Sequence, residues 1–250
     1  MMREKILLGG DTSTSKTMSL VQLAFLYPNN QVVIFDPDDG VNKVIMELGV
    51  PNIPNLTVIP VTPDWDKLIK DYKMVKLMLK ESDWVCFDML GRFWDFAQNY
   101  YSRMVFGMSP SEHLLQLRQQ AKAPSFGGFE GLTDWTIIKR MHNEELIDDA
   151  LLWSKFNVMA TTSISTYLPV EKIPKTGTEG ILAKEFGVKL EGEKHNLYRF
   201  DTIALMHRKA TGQFYFRLAK DKGRVISDMK LEFDITGSTF WSKYKEYRGM

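Results

Sequence analysis

The feature that most constrains the fold is a polar loop between a short apolar run and an amphipathic segment. The run from Lys5 to Leu8 ends in two glycines, and apolar residues recur at helical spacing from Lys16 to Leu26. The loop is close to the phosphate-binding pattern G-x-x-x-x-G-K-[ST] and reads Gly10-Asp11-Thr12-Ser13-Thr14-Ser15-Lys16-Thr17. A strand, a loop and a helix in this order predict a ligand site at the carboxyl end of the first strand.

The loop predicts binding of ATP with Mg²⁺. In such loops, backbone amides surround the phosphate oxygens and the start of the helix adds positive potential. Lys16 is expected to neutralise the β- and γ-phosphates, and the Thr17 hydroxyl to ligate Mg²⁺. Ser15 occupies the position of the second glycine, so it must accept a backbone conformation that glycine adopts easily. The alternative interpretation is a structural turn or a weakened site.

Two further strand ends supply acidic side chains. The apolar run Trp84–Phe87 ends at Asp88, which has the form of a Walker B acid that holds Mg²⁺. The second apolar run ends in Asp36-Pro37-Asp38-Asp39, and Asp38 is the first choice for the residue that activates water, with Asp36 second. Because parallel strands place their carboxyl ends at one edge, these acids are expected near the loop. The alternative for each is a polar group that solvates a strand end.

The wider pattern predicts an α/β fold with a mainly parallel central sheet flanked by helices. Apolar runs predict strands at 5–8, 31–35, 56–61, 84–87 and 157–162. Helical spacing predicts helices at 16–26, 66–80, 90–105 and 135–156. Beyond residue 165, strands dominate: a hairpin of 197–207 with 213–219, and a last strand at 230–235. These later strands are expected as antiparallel edge strands of one domain spanning 1–250.

Two segments break the alternation of strands and helices. Residues 106–131 are interpreted as an insertion or mobile loop with a short helix at 112–120. Residues 166–195 are interpreted as a second mobile loop, which contacts DNA through backbone phosphates and stacked bases or is a non-binding surface. Its candidate contacts are Lys172, Lys175, Lys184, Lys189, Lys194, Tyr167 and Phe186. Weaker candidates near the first segment are Arg103, Arg118 and Lys122.

Composition excludes several classes of protein. The 250 residues carry a formal net charge of +1, so no global charge calls for nucleic acid. A single cysteine, Cys86, excludes an intramolecular disulfide and a multi-cysteine zinc site, and its apolar surroundings predict a buried, inert thiol. Apolar runs are too short for a membrane span or a signal peptide. The expected location is the cytoplasm, that of a host cell if a phage encodes the chain.

Four motifs together resemble those of the RecA-like recombinase ATPases, especially the short single-domain versions carried by bacteriophages. They are the loop 10–17, the strand end Phe35-Asp36-Pro37-Asp38, the acid Asp88, and the stretch 216–222 followed by 229–233. The resemblance implies a RecA-like P-loop NTPase fold. The family's catalytic glutamate falls on Asp38, so a shorter acid stands there. The likeness covers most of the chain in element order, but only these motifs are specific.

The resemblance also implies a site that is shared between subunits. The family's paired lysines reach the γ-phosphate of a neighbouring subunit, and they fall on Lys220 and Lys222, with Arg224 as a further candidate. This implies a homo-oligomer, either a ring or a filament. The family's polar γ-phosphate sensor, commonly glutamine, falls on Thr162 or Ser163. The alternative is that the three cations form a solvated hairpin end.

Three functional hypotheses follow. The first is a Mg²⁺-dependent ATPase that assembles on single-stranded DNA and promotes annealing or strand exchange. The second is a nucleotide-gated assembly or binding factor with weak hydrolysis, which Ser15 and the short acid Asp38 favour. The third is a P-loop kinase, which requires an acceptor pocket and a basic lid; neither is identifiable from the sequence.

Overall fold

The backbone forms two sheets in the part of the chain that the structure describes. This computed structural model describes residues 3–50, 52–120, 129, 133–168, 173–174, 176–222 and 232–249. The candidate residues Lys122, Lys172, Lys175 and Arg224 lie outside the described residues. So do parts of the two predicted loops and the start of the last predicted strand.

The larger sheet has eight strands in the order β10-β9-β8-β1-β5-β4-β2-β3. Neighbours from β3 to β8 in this order pair parallel, and β8, β9 and β10 pair antiparallel. The strands are β1 Lys5–Gly10, β2 Val32–Asp36, β3 Leu56–Pro60, β4 Trp84–Phe87, β5 Asn157–Thr162, β8 Thr202–Arg208, β9 Phe214–Asp221 and β10 Glu232–Asp234. A two-stranded antiparallel sheet joins β6 Ile164–Thr166 to β7 Val188–Leu190. The predicted fold class is confirmed.

Helices cover both faces of the large sheet. They are α1 Lys16–Leu26, α2 Gly40–Glu47, α3 Trp65–Met78, α4 Leu90–Phe106, α5 Pro110–Gln119, α6 Thr133–His142, α7 Gly177–Ile181, α8 Asn196–Arg199 and α9 Phe240–Arg248. After α6, wider helical turns continue over Asn143–Ile147 and Asp149–Trp153, so the predicted helix at 135–156 is present with altered pitch. The segment Leu182–Phe186 after α7 has the same wide turns.

The central strands are apolar on both faces, which explains their unbroken apolar runs. In β1, Leu7 packs into one core with α3 and α4, whereas Ile6 and Leu8 pack into a second core with α1 and α9. The same alternation places Val85 in the first core and Cys86 in the second. Cys86 is fully buried, and burial raises the pKa of its thiol, as expected for an inert cysteine.

Several boundaries differ from the predictions. The hairpin is present, but its first strand begins at Thr202, because residues 196–199 form the short helix α8. The sequence analysis did not predict α2, whose residues include the helix-breaking Gly40 and the β-branched Val41 and Val44. Trp153, at the end of the wide helical turns, is 61% exposed.

The described part of 166–195 is folded against the large sheet. Leu182 is fully buried and Val188 nearly so, and β7 pairs with β6 directly after β5. The side chain of Leu190 also lies against Gly9, where an added Cβ would come within 2.3 Å of its Cδ2. This segment therefore covers the carboxyl end of β1. Among the described residues, no helix is both long and apolar enough to cross a membrane.

Candidate functional site

Backbone strain is concentrated at one edge of the large sheet. Among the described residues, the non-glycine residues with positive φ are Ser13, Ser15, Asp39 and Met89. They follow the carboxyl ends of β1, β2 and β4, which are neighbours or near neighbours in the sheet. Each left-handed L-residue costs on the order of 1–2 kcal/mol, and such strain clusters at functional sites. This edge of the sheet is therefore the candidate binding site.

The loop between β1 and α1 is built tightly. Ser15 immediately precedes α1 with φ 66° and ψ 21°, the conformation that the second glycine of the motif would adopt without strain. A Cβ added at Gly10 would lie 2.4 Å from the carbonyl oxygen of Met206 in β8 and 2.8 Å from Thr14 Oγ1. The first position of the motif thus requires glycine, whereas the second tolerates serine at a cost in strain.

Lys16 lies inside this loop with a side chain that is almost fully buried. Its Nζ donates hydrogen bonds to the carbonyl oxygens of Gly10 at 2.9 Å and Asp11 at 2.6 Å, and lies 3.4 Å from Thr14 Oγ1. Burial lowers the pKa of the ammonium group, while Asp88 and Asp11 oppose that shift. The loop therefore holds a positive charge against its own main chain. A positive charge in this position can bind a polyanion such as a phosphate chain.

Thr17 and Asp88 meet across the sheet edge. Thr17 Oγ1 donates to Asp88 Oδ2 at 2.8 Å, and the Thr161 hydroxyl donates to Asp88 Oδ1. Asp88 is 1% exposed, so burial raises the pKa of its carboxyl group; the two hydroxyls and Lys16 oppose that shift, and Asp36 adds to it. A hydroxyl and a carboxylate on adjacent elements are oxygen donors of the kind that Mg²⁺ prefers.

The helix start opposite this pair carries no side chain. Gly40 begins α2 opposite the pair, where an added Cβ would lie 3.5 Å from Asp88 Oδ2 and 3.8 Å from Thr17 Oγ1. A side chain at this position would therefore contact both oxygens. The residues thus fit the Mg²⁺–nucleotide group that the sequence predicts. Thr17 and Asp88 would hold the ion directly or through water, and the loop amides and Lys16 would hold the phosphates.

The two acids after β2 have different surroundings. Asp36 is buried and accepts backbone N–H bonds from Asp38, Gly40 and Val41, so it fixes the turn into α2. Asp38 is more exposed, and its Oδ1 lies 3.3 Å from Arg92 Nη2 on α4. Of the two candidates for water activation, only Asp38 has a carboxylate directed away from the backbone amides.

The polar end of β5 is arranged differently from the expectation. Thr162 Oγ1 donates to the carbonyl oxygen of Glu191 at 2.9 Å and so supports the segment after β7. The preceding residue, Thr161, instead faces Asp88, and its hydroxyl also accepts the N–H of Met89 at 2.7 Å. Strand alternation could have identified Thr161, because residues one apart face opposite sides. Ser163 lies beside Asp38 and Arg92 in a cavity of about 450 Å³.

The two lysines at the end of β9 differ in availability: Lys220 lies in the strand and Lys222 directly follows it. Lys220 Nζ donates to the carbonyl oxygens of Leu197 at 2.7 Å and Phe200 at 2.6 Å, at the end of α8, and burial lowers its pKa. Lys222 is 69% exposed at its side chain and lies 3.8 Å from Asp201 Oδ1. Within one protomer, Lys220 thus supports α8, and Lys222 is the more available cation.

The described candidates for nucleic-acid contact are scattered. Lys184, Lys194, Arg103 and Arg118 are exposed. Lys189 Nζ lies 5.5 Å from the ring centre of Tyr167, and the Phe186 ring faces the guanidinium group of Arg217 at 5.0 Å. Both aromatic rings therefore already contact cations of the chain itself.

Comparisons with known proteins add the following. No family model matches the sequence, and no curated protein matches it. Among solved structures, the chain is similar to one described as the ATPase domain of G40P, with a TM-score of 0.48 and 11% identity. The alignment covers 94% of this chain and 81% of that one. With a TM-score below 0.5 and 11% identity, this similarity supports no conclusion about activity.

Proposed function

We propose that the protein is a RecA-like ATPase that binds ATP with Mg²⁺ at the loop 10–17 and acts as an oligomer on single-stranded DNA. The observation that carries the nucleotide site is the hydrogen bond of Thr17 to the buried carboxylate of Asp88 beside the buried Lys16. It joins two motifs that lie 71 residues apart in the sequence. Both motifs lie at the strained carboxyl edge of the sheet, where ligands bind in open α/β sheets.

Each residue of the proposed site has a distinct role. The loop amides and Lys16 bind and orient the triphosphate, and Thr17 and Asp88 hold the ion. When bound, Mg²⁺ supplies positive charge that offsets the charge developing on the transferred phosphoryl group. Asp38 accepts a proton from the attacking water, and the hydrogen bond from Arg92 directs the carboxylate of Asp38. A cation from the neighbouring subunit, with Lys222 favoured over Lys220, completes the site.

The nucleotide-gated factor with weak hydrolysis is the first alternative. It is favoured by the ion pair of Asp38 with Arg92, because the carboxylate oxygen that contacts Arg92 is less available to the attacking water. Aspartate is also one methylene shorter than the glutamate implied by the resemblance. In this alternative the nucleotide controls assembly or DNA binding and turns over slowly.

A P-loop kinase is the second alternative, and one specific observation favours it. The cavity of about 450 Å³ beside Asp38, Arg92 and Ser163 lies at the same sheet edge as the predicted phosphate site. A cavity of this size is sufficient for a small acceptor molecule. A transferred phosphate, rather than free inorganic phosphate, would distinguish this alternative.

The central experiment measures ATP binding and turnover, each with and without single-stranded DNA. We expect Mg²⁺-dependent ATP binding that Lys16→Ala abolishes, and turnover that single-stranded DNA stimulates. Thr12→Ala is the matched control in the same loop, because the Thr12 side chain is exposed. Binding without turnover would favour the gated factor. No ATP binding at saturating Mg²⁺-ATP would contradict all three functions.

A further inference from the structure

A second cavity lies beside the one at Asp38. It has a volume of about 390 Å³, within the range of about 300–1,000 Å³ that is typical of small-molecule sites. Asp95, Glu191 and Gly192 line both cavities, so the two are neighbours. The walls of the second cavity are largely apolar and include Leu7, Leu90, Trp94, Leu182, Leu190 and Leu197.

Asn196 is the unusual polar residue of this cavity. Its side chain is 4% exposed, and neither Oδ1 nor Nδ2 has a hydrogen-bond partner among the described residues. Burying an amide in this way costs about 1–3 kcal/mol for each unsatisfied group. A site for a ligand that offers one donor and one acceptor would explain why the chain keeps such a residue.

The backbone around Asn196 is firmly held. Glu193, which is also buried, accepts hydrogen bonds from the backbone N–H of His195 at 2.9 Å and from Arg199 Nη1 at 3.3 Å. Lys220 donates to carbonyl oxygens at the end of α8. The backbone that carries the unpartnered amide is therefore held in place before any ligand arrives, which lowers the entropic cost of binding.

The charges of the lining indicate what kind of ligand can enter. Besides Glu193, which is paired with Arg199, three carboxyl groups line the cavity, Asp95, Glu179 and Glu191, against two lysines, Lys189 and Lys194. A phosphate or carboxylate inside the cavity would be repelled by this excess of acid. A flat, uncharged ring with an adjacent donor and acceptor suits both the apolar walls and the amide.

We propose that this cavity binds a nucleobase, with the carboxamide of Asn196 pairing to its donor–acceptor edge. Asparagine makes bidentate pairs of this kind with bases. Any attached phosphates would stay outside, where Lys194 is exposed. The base belongs either to a free nucleoside or to a single strand, and the latter source rests on the proposed function.

The first test is ligand-observed NMR of the whole chain with cytidine, thymidine and adenosine. An excess of Mg²⁺ and a non-hydrolysable ATP analogue occupies the loop 10–17. We expect saturation transfer from the protein to at least one nucleoside. Asn196→Leu should weaken the binding of that nucleoside by about fivefold or more. Binding of none of the three, or unchanged binding by Asn196→Leu, would overturn the proposal.

Stability provides a second, independent readout. Asn196→Leu replaces two unsatisfied polar atoms by apolar ones of similar size, so we expect a higher melting temperature. The matched control is Asn55→Leu, because buried Asn55 donates to the carbonyl oxygens of Ala24, Tyr27 and Asn30. This control should lower the melting temperature and leave nucleoside binding unchanged. A lower melting temperature for Asn196→Leu would indicate a structural role and contradict the proposal.

Two further arms separate the possible sources and the two sites. A 15-residue single-stranded oligonucleotide that binds more tightly than any nucleoside, with a loss in Asn196→Leu, identifies the strand as the source. Equal binding identifies the free nucleoside. Lys16→Ala should abolish ATP binding and leave nucleoside binding unchanged, so a failure of the proposed ATPase function remains distinguishable from a failure of this inference.

Discussion

Ser15 illustrates at the scale of one residue how the phosphate-binding motif is modified. The serine adopts a left-handed backbone, which glycine would adopt without the steric cost of a Cβ. Contacts within the loop offset this strain. They include the hydrogen bonds that Lys16 donates to carbonyl oxygens of the loop. The substitution of glycine by serine therefore leaves the loop geometry in place.

Ser15→Gly should stabilise the protein slightly. Relief of strain is partly cancelled by the greater freedom of glycine in the unfolded chain, so we expect a gain of about 0.5 kcal/mol in the free energy of unfolding. Chemical denaturation measures it. Ser15→Ala keeps the strain and removes only the hydroxyl, so it should leave stability unchanged. A loss of stability in Ser15→Gly would show that the serine side chain itself supports the loop.

Asp88 is a residue whose function opposes stability. Burial raises the pKa of its carboxyl group above the value of 3.8 that applies in the unfolded chain. The unfolded chain therefore loses this proton first as the pH rises, and the folded protein loses stability between the two pKa values. At neutral pH, Asp88→Asn should raise the melting temperature of the nucleotide-free protein and remove the further stabilisation by Mg²⁺-ATP.

The control for Asp88 is Asp234, an exposed acid in β10. Backbone and side-chain hydrogen bonds from Thr236 lower the pKa of Asp234, so its ionised form favours the folded state. Asp234→Asn should lower the melting temperature at neutral pH and leave the effect of Mg²⁺-ATP intact. Equal effects of the two substitutions would contradict the role assigned to burial at Asp88.

His142 should make the protein sensitive to mild acid. The ring is fully buried against Trp65 and Trp94, and burial lowers its pKa from 6.5 to about 4. Because the folded state holds the neutral ring, its contribution is complete above pH 6.5 and is lost as the pH falls towards 4. His142→Phe should flatten the melting temperature across this range. An unchanged slope would locate the acid sensitivity elsewhere.

At the scale of elements, Lys220 shows how one side chain can join distant parts of the sequence. Its ammonium group connects β9 to the end of α8, about 20 residues earlier. Lys220→Ala should lower the melting temperature, because buried carbonyl oxygens lose their donor. Lys222→Ala should not, because its pairing with Asp201 at 3.8 Å is largely exposed. Thermal denaturation of both variants tests this, and equal loss would contradict it.

The central strands and the loop motif could be predicted from the sequence because local patterns encode them. Continuous apolar runs mark strands covered on both faces, and the loop 10–17 has a fixed spacing. The proximity of Thr17 to Asp88 was also predictable, since parallel strands place their carboxyl ends at one edge of the sheet. The role of Asp36 as a backbone acceptor could not be distinguished from catalysis, because both require an acid after a strand.

Other features depend on tertiary contacts that no local pattern reveals. The segment 176–199 has weak periodicity, and its order comes from packing of Leu182 and from the Glu193–Arg199 pair. The two polar side-chain atoms of Asn196 lack hydrogen-bond partners because of the tertiary structure around the cavity, so the sequence does not reveal this feature. The same holds for Lys220, whose partners are backbone carbonyls that could belong to any segment.

At the scale of the whole molecule, the proposed site requires two chains. Lys16, Thr17 and Asp88 lie together in one protomer, whereas Lys222 directly follows β9, which is separated from β1 by β8. A cation at the end of a separate strand can serve a neighbour in a head-to-tail ring or filament. A higher-order assembly in the presence of Mg²⁺-ATP is therefore part of the same proposal.

Complementation between two inactive variants tests this arrangement. Lys16→Ala lacks a working nucleotide loop, and Lys222→Ala lacks the cation for its neighbour, so each alone should show little turnover. In a mixture of equal parts, the intact loop of one variant meets Lys222 of the other at about a quarter of the interfaces of a head-to-tail assembly. ATP turnover should recover to about that fraction of wild type, and assembly on single-stranded DNA should accompany it. The control mixes Lys16→Ala with the double variant Lys16→Ala, Lys222→Ala, which contains no intact loop and should stay inactive. Full activity of Lys222→Ala alone, or no recovery in the first mixture, would contradict a cation supplied by the neighbouring chain.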